Sequence, residues 1–425
     1  MGRCPGCGEW NTLDEERLST TPAAPFVSTS LRDVGDEASD RTSTGVAELD
    51  RVLGGGLVAG STTLLFGEPG VGKSTLALMA LRQLAMEGSS VVLVAAEESA
   101  SQVARRARRF GDIPAALQVC ATTSVGVAEE LMSSLRPTLC VVDSISAMSD
   151  DALTGAAGSV PQVRHSAERL CSVAKSRGIA LVLVGHVTKD GELAGPRTLE
   201  HLVDTVIRIE GDRYGTLRFI RALKHRFGPT GEVGLLEMVN EGLRELPDAG
   251  VALRGPQLSV PGVVYCVTND GSRSMLVEMQ ALVASSSGSP RRVAHQVSSQ
   301  RLALLLAVLE ARCDVDISTS DVFAATAGGL PANEPGVDVA LALAVASAAL
   351  DFAVPRTVAA VGEVGLAGEL RGVSGLTRRV REAQRLGATT IIVPKEGELE
   401  DVAGISVLRC SSLIEAISAV RSDTL

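Results

Sequence analysis

Aromatic residues are nearly missing from this chain: Phe, Trp and Tyr make up 2% of its 425 residues, although hydrophobic residues reach 45%. A core of that composition must be built from Val, Leu, Ala and Ile, which favours α/β architecture with buried parallel strands. Long apolar runs are also lacking. No apolar run reaches the roughly 18 residues of a membrane-crossing helix without a charge or a break, and the N-terminus has no basic-then-apolar leader. The expected location is therefore the cytoplasm, with no membrane partner. Paired cysteines are scarce too. Most of the eight stand singly inside apolar runs, as Cys140, Cys171 and Cys266 do, which excludes a disulfide framework and reads as reduced core thiols. A positive charge excess is absent: the net charge of −10 excludes a generally basic nucleic-acid binder but leaves room for a local basic surface. The length suits two or three domains, each able to bury its own core.

Against these absences stands one stretch that organises the rest, Gly67-Glu68-Pro69-Gly70-Val71-Gly72-Lys73-Ser74-Thr75. It has the spacing of a phosphate-binding loop and lies between an apolar run, Thr62 to Phe66, and a helical pattern beginning near Thr75. Glycines let the backbone wrap a triphosphate with its N–H groups pointing inward, and the following helix adds the positive end of its dipole. Lys73 is then placed for the β- and γ-phosphates of ATP and Ser74 for one coordination position of Mg²⁺. Two further apolar strands end in acids. Ser90 to Ala96 leads to Glu97-Glu98, where a carboxylate could orient and deprotonate an attacking water; Glu97 is the first choice because it comes first off the strand, and Glu98 the second. Thr138 to Asp143 delivers Asp143 to the position of a residue that holds Mg²⁺ through its waters.

The remaining text is read in chain order. Cys4 and Cys7 form a knuckle that could give two thiolates to zinc, but four ligands are needed, so the site is incomplete as written; Zn²⁺ enters only if the finger is complete. Residues 11–40 read as a linker. Arg105, Arg106, Arg108 and Arg109 mark a helix that is solvated, subunit-facing or nucleic-acid-facing. Residues 150–163 suit a mobile loop, followed by a helix over 164–176. A strand from Ile179 to Val184 ends near His186, either a nucleotide-state sensor or a core histidine held by its own hydrogen bonds. Strands at Val203 to Glu210 and Thr216 to Leu223 lead to the basic turn Lys224-His225-Arg226-Phe227-Gly228, which suits a solvated hairpin or fingers reaching a neighbouring nucleotide. After about Pro247 the composition shifts. Strands near Val263 to Thr268 and Met275 to Val283, helices over 299–312, 338–350 and 376–387, and short strands at Val358 to Val361 and Thr390 to Val393 describe an α+β domain.

The knuckle, the Ser43-Thr44-Gly45 segment, the phosphate loop, Gly185-His186-Val187-Thr188-Lys189-Asp190-Gly191 and Lys224-His225-Arg226-Phe227-Gly228 together resemble the bacterial RadA (Sms) family of DNA-repair proteins, over essentially the whole chain. The resemblance implies a RecA-like P-loop ATPase core with a mostly parallel sheet over 41–250, preceded by a truncated zinc-finger remnant and linker over 1–40. It further implies an α+β Lon-protease-like domain over 251–425. It also implies a homo-hexamer that acts on single-stranded and branched DNA as a helicase or branch-migration motor, with a recombinase partner. Family members usually carry asparagine where His225 stands; Lys224 and Arg226 are kept and become candidates for a neighbouring subunit's γ-phosphate or for a DNA-coupled loop.

Lon-type peptidases use a serine within Gly-Pro-Ser-Ala-Gly and a later lysine that activates it. Laid on that pattern, this chain has Gly336 at the serine position and Thr377 at the lysine position, so its Lon-like domain is expected to be proteolytically inactive. Arg291, Arg292, Arg301, Arg371, Arg378 and Arg379 are candidates there for DNA contact or plain solvated charge. A switch of the same ATPase core that binds protein rather than DNA is the alternative reading.

Overall fold

Runs of aliphatic and β-branched residues without polar alternation become strands covered on both faces, and this chain has several. Every residue of β3 (Thr62–Gly67) and β4 (Val91–Ala95) is buried. The computed structural model describes residues 41–186, 196–211, 215–246, 259–286, 288–327 and 330–421. Cys4, Cys7, the linker, the segment 187–191 and the expected boundary near residue 250 lie outside them.

A short β1 (Arg41–Thr42) pairs with β2 (Leu57–Val58), and α1 (Ala47–Val52) lies between them in sequence. After β3 come α2 (Lys73–Met86), β4, α3 (Ala100–Ala107), β5 (Leu117–Ala121) and α4 (Val125–Leu135). β6 (Leu139–Asp143), α5 (Val160–Arg177), β7 (Ala180–His186), the single-turn α6 (Pro196–Leu199) and β8 (Thr205–Gly211) follow. Three antiparallel strands, β9 (Leu217–His225), β10 (Val233–Val239) and β11 (Gly242–Glu245), close the unit. The nine-stranded sheet has the order β11-β10-β9-β8-β3-β7-β6-β4-β5, and the strands from β8 to β5 are parallel. Their carboxyl ends therefore share one edge. Helix α5 begins at Val160 rather than 164, so the expected loop is shorter; Pro161 in its first turn needs no backbone donor, and Gly178 (φ +67°) ends it. Strands β5, β10 and β11 were not expected.

A second, mixed sheet of order β14-β15-β13-β12-β16-β19-β20 follows. Its strands are β12 (Val263–Asp270), β13 (Arg273–Ser285), β14 (Arg292–His295), β15 (Ser320–Thr326), β16 (Val358–Ala360), β19 (Thr390–Pro394) and β20 (Ser406–Cys410). The small hairpin of β17 (Glu363–Val364) and β18 (Leu370–Arg371) stands apart from it. Helices α7 (Ser299–Cys313), α8 (Asp338–Ala349), α9 (Leu376–Arg385) and α10 (Leu413–Arg421) complete the domain. Residues 338–347 of α8 are all buried, as a helix apolar on every side requires. The lone cysteines sit in these cores: burial pushes Cys140 and Cys266 up to about 12 and Cys171 up to about 11, so they stay neutral thiols.

The two sheets are not joined by a linker alone. Leu217, Phe219, Val233 and Leu235 of β9 and β10 belong to the apolar core beneath the second sheet. The turn from β12 to β13 docks on this face: Gly271 takes φ +58°, and a Cβ there would strike the Gly231 carbonyl, which accepts hydrogen bonds from Ser272. Arg221 pairs with Asp270, and Arg273 pairs with Glu48 of α1. Glu48, 2% exposed, also accepts from the Leu235 N–H at 2.7 Å, and Arg273 also donates to the carbonyls of Val233 and Leu246.

Glu48→Ala should therefore lower the unfolding free energy by about 3–5 kcal/mol, because it leaves a buried guanidinium without its carboxylate. The exposed Arg51, 3.7 Å from Glu48, should cost only about 0–1 kcal/mol as Arg51→Ala. Urea midpoints of the two variants check the contrast.

Candidate active site

The phosphate loop leaves β3 at Gly67 and enters α2 at Lys73. Gly70 (φ +78°) and Gly72 (φ +112°) take backbone angles that side chains resist, and a Cβ at the exposed Gly70 would meet nothing. Glu68, Pro69 and Gly70 are exposed, Val71 is buried beneath them, and Ser74 and Thr75 are half-buried in the first turn of α2. Lys73 is 4% exposed and donates to the carbonyls of Gly67 at 2.8 Å and Glu68 at 2.9 Å. Burial holds its ammonium below the ordinary lysine range, with the Asp143 and Glu97 carboxylates acting in the opposite direction. A lysine resting on carbonyl oxygens in such a loop can exchange them for phosphate oxygens.

Register brings the acids to the same edge. Gly67 lies across from His186, and Asp143 lies across from Ala95 and Val184. The Ser144 hydroxyl donates to Glu97, and His186 Nε2 is 3.4 Å from the same carboxylate. Glu98 turns the other way and pairs with Arg106 at 2.7 Å. The two adjacent glutamates are thus divided: Glu97 faces Ser144 and His186, and Glu98 faces α3. Ser74 and Asp143 are hard oxygen donors beside a phosphate cradle, which is the donor set that suits Mg²⁺. Outside this pairing, no group of three or more His, Cys, Asp or Glu side chains among the described residues is placed to hold a metal ion.

Two site residues escaped the sequence reading. Arg218 of β9, buried, donates from Nε to the Val71 carbonyl at 3.1 Å and braces the phosphate loop from below. Nothing in the sequence marks it out, because β9 carries Arg221, Lys224 and His225 as well. Arg106 looked like its exposed neighbours Arg105, Arg108 and Arg109, yet lies 3.8 Å from Asp143.

The basic turn is not brought to this edge. His225 lies across from Thr205, which lies across from Thr63 near the amino end of β3. At about 3.3 Å per residue, the steps from Thr63 to Gly67 separate that level from the phosphate loop by about 13 Å. Lys224 donates to the carbonyls of Glu200 at 2.6 Å and Val203 at 2.8 Å; burial, then Arg226, holds it below the ordinary lysine range. Arg226 pairs at 3.1 Å with Asp204, which also accepts from the N–H and hydroxyl of Thr62. His225 bridges Thr205 and the Leu53 carbonyl, and burial favours its neutral form.

In the second domain Gly336 is buried, and a Cβ there would meet the guanidinium of Arg379 at 2.7 Å. Arg379 is 0% exposed and bonded to Glu334 and the Val267 carbonyl, so it is withdrawn from the surface, contrary to the expectation of a DNA-facing charge. Burial acts upward on Glu334, but its bonds to Arg379 and the Asn269 N–H prevail and hold it ionised below its usual range. Arg301 is likewise neutralised by the buried Asp338, and Arg291 by Asp321. Arg371 pairs with Glu369, while Arg292 and Arg378 donate to backbone carbonyls. Thr377 accepts from the Glu400 N–H at 3.2 Å.

Comparison with known proteins agrees with this architecture. Residues 42–117 match the ATPase family model described as KaiC, and residues 312–415 match that of the Lon protease (S16) C-terminal proteolytic domain. A curated relative, DNA repair protein RadA of Mycolicibacterium smegmatis, is 43% identical over 99% of this chain and 94% of its own length. DNA repair protein RadA of Bacillus subtilis is 39% identical over 98% of this chain and 94% of its own length. A crystal structure of the RadB recombinase is similar over 48% of this chain at 23% identity and a TM-score of 0.39, too slight a likeness to carry weight. The fold is a RecA-like α/β ATPase core followed by an α+β Lon-like domain, and with such identity along nearly its whole length the chain belongs to the RadA family of DNA repair proteins.

Proposed function

We propose that this chain is an ATP-driven motor acting on single-stranded and branched DNA during recombination, assembled as a hexameric ring and working beside a recombinase. The observation that carries the reading is the gathering of Lys73, Ser74, Asp143, Glu97 and His186 at one sheet edge, in a chain whose relatives are DNA repair proteins. Residues Gly67 to Thr75 hold the triphosphate of ATP, Lys73 its β- and γ-phosphates, and Ser74 and Asp143 the Mg²⁺ that offsets the charge building on the leaving group. Glu97 accepts the proton of the attacking water, and the hydrogen bond it accepts from Ser144, with His186 Nε2 3.4 Å away, fixes its orientation. His186 ends β7 with its Nε2 3.4 Å from the Glu97 carboxylate, so that contact can relay nucleotide state to DNA-facing loops. Lys224 and Arg226 complete the site of an adjoining subunit, and zinc joins the account only if Cys4 and Cys7 find two further ligands.

The Lon-like domain is proposed to serve assembly and DNA contact rather than proteolysis. Gly336 offers no nucleophile, Thr377 no base, and the Arg379–Glu334 pair fills the space a serine would need. A switch of the same ATPase core that binds protein rather than DNA is the second reading.

ATP hydrolysis by the purified chain, with and without single-stranded DNA, separates these readings. Strong stimulation that disappears in Lys73→Ala supports the motor; hydrolysis indifferent to DNA selects the switch; casein cleavage that persists in Lys73→Ala overturns the assignment of the second domain. Within the motor reading, Glu97→Gln should cut turnover about 10²- to 10⁴-fold while nucleotide binding stays, and Glu98→Gln should stay within about tenfold of wild type. Equal losses in the two would contradict the division of the pair.

A further inference from the structure

Arg106 is set apart from its neighbours by how α3 leaves the sheet. The helix starts immediately after Glu98, where Ser99 and Gln102 form a reciprocal capping box. Val103 and Ala107 are its buried anchors, so the face that carries Val103 also carries Arg106, three residues on, toward the sheet. The side chain is 20% exposed, whereas Arg105, Arg108 and Arg109 are open to solvent. Its Nη2 lies 2.7 Å from Glu98 and 3.8 Å from Asp143, and its buried Nε has no hydrogen-bond partner among the described residues. Asp143 is itself 11% exposed, with the Lys73 ammonium as the other cation acting on this cluster.

A metal ion held by Asp143 and the Arg106 guanidinium would compete for one carboxylate. Both are cations, and around the Asp143 carboxylate, which is only 11% exposed, the repulsion between them is stronger than in open water. Glu98 is the group that resolves the competition, because it gives the guanidinium a closer partner than Asp143. We propose that Arg106 is a positioning residue that sets the Mg²⁺ requirement of nucleotide binding. It occupies Asp143 electrostatically until the metal arrives, and Glu98 serves as its anchor rather than as a second catalytic base. This rests on the ATP-binding reading of the phosphate loop, and it explains why adjacent glutamates have different surroundings.

The test is binding of a fluorescent ATP analogue by the full chain, titrated with Mg²⁺, for wild type, Arg106→Gln, Arg106→Lys and Glu98→Gln. Removing the charge in Arg106→Gln should lower the half-saturating Mg²⁺ concentration about five- to tenfold, because the competing cation is gone. Arg106→Lys keeps the charge and should stay near the wild-type midpoint. Glu98→Gln releases the guanidinium toward Asp143 and should raise the midpoint by a similar factor. Circular dichroism and melting curves establish that each variant folds, and if Arg106→Gln does not, the opposite shift in Glu98→Gln still decides the matter. Midpoints that coincide with wild type, or an Arg106→Gln midpoint that rises, overturn the proposal while leaving the ATPase reading intact. A wild-type chain that binds no Mg²⁺-nucleotide overturns both.

Discussion

The register of the parallel strands around β3 is the constraint on which the candidate site depends. Because β3 pairs in parallel with β7 and β8, and β6 lies between β7 and β4, these strands all finish on one edge. Residues distant in sequence then meet by geometry alone: Gly67 stands across from His186, and Asp143 across from Ala95, two residues before Glu97. The strands can be buried on both faces because they are almost wholly aliphatic and β-branched, with Phe66 of β3 the aromatic among them. A one-residue slip of β6 would exchange its two faces and move Asp143 off that edge.

The same sheet carries its basic turn in the opposite direction. β9 runs antiparallel to β8, so Lys224 and Arg226 emerge beside Thr62 and Asp204, at the amino end of β3. Within one chain they cannot serve the phosphate loop about a strand's length away. A chain with a nucleotide edge at one end and a cationic turn at the other is suited to head-to-tail contact between copies, the arrangement that closes into rings. The second domain is fastened to this core through shared apolar surface and buried ion pairs, and within it Gly336 lies beneath the Arg379–Glu334 pair.

Much of the fold was legible because its signals are local. A phosphate loop between an apolar run and a helical pattern, and acids at the ends of aliphatic strands, need no knowledge of tertiary contacts. Elements at the sheet margins were not legible. β5 is half exposed and β11 spans only Gly242–Glu245, so neither shows the unbroken apolar run of a central strand. The start of α5 was placed late because Gly155, Gly158 and Pro161 read as loop, although Pro161 is at home in a helix's first turn. Charged residues gave the weakest signals. Arg106, Arg218 and Arg379 look like solvated side chains in the sequence, and only packing reveals that each is turned inward. Glu97 and Glu98 could be ordered by their place after the strand, but their separation into two surroundings follows from the path of α3.

We propose that each nucleotide site is divided between copies of the chain, and mixing of inactive variants tests this division. Lys73→Ala and Arg226→Ala are each expected to abolish DNA-stimulated hydrolysis when assayed alone. Co-assembled in equal amounts, they should recover about a quarter of wild-type turnover, because a random ring places an intact phosphate loop against an intact Arg226 at that fraction of its interfaces. A mixture as inactive as its parents, or an Arg226→Ala chain that hydrolyses ATP at the wild-type rate, would contradict the account.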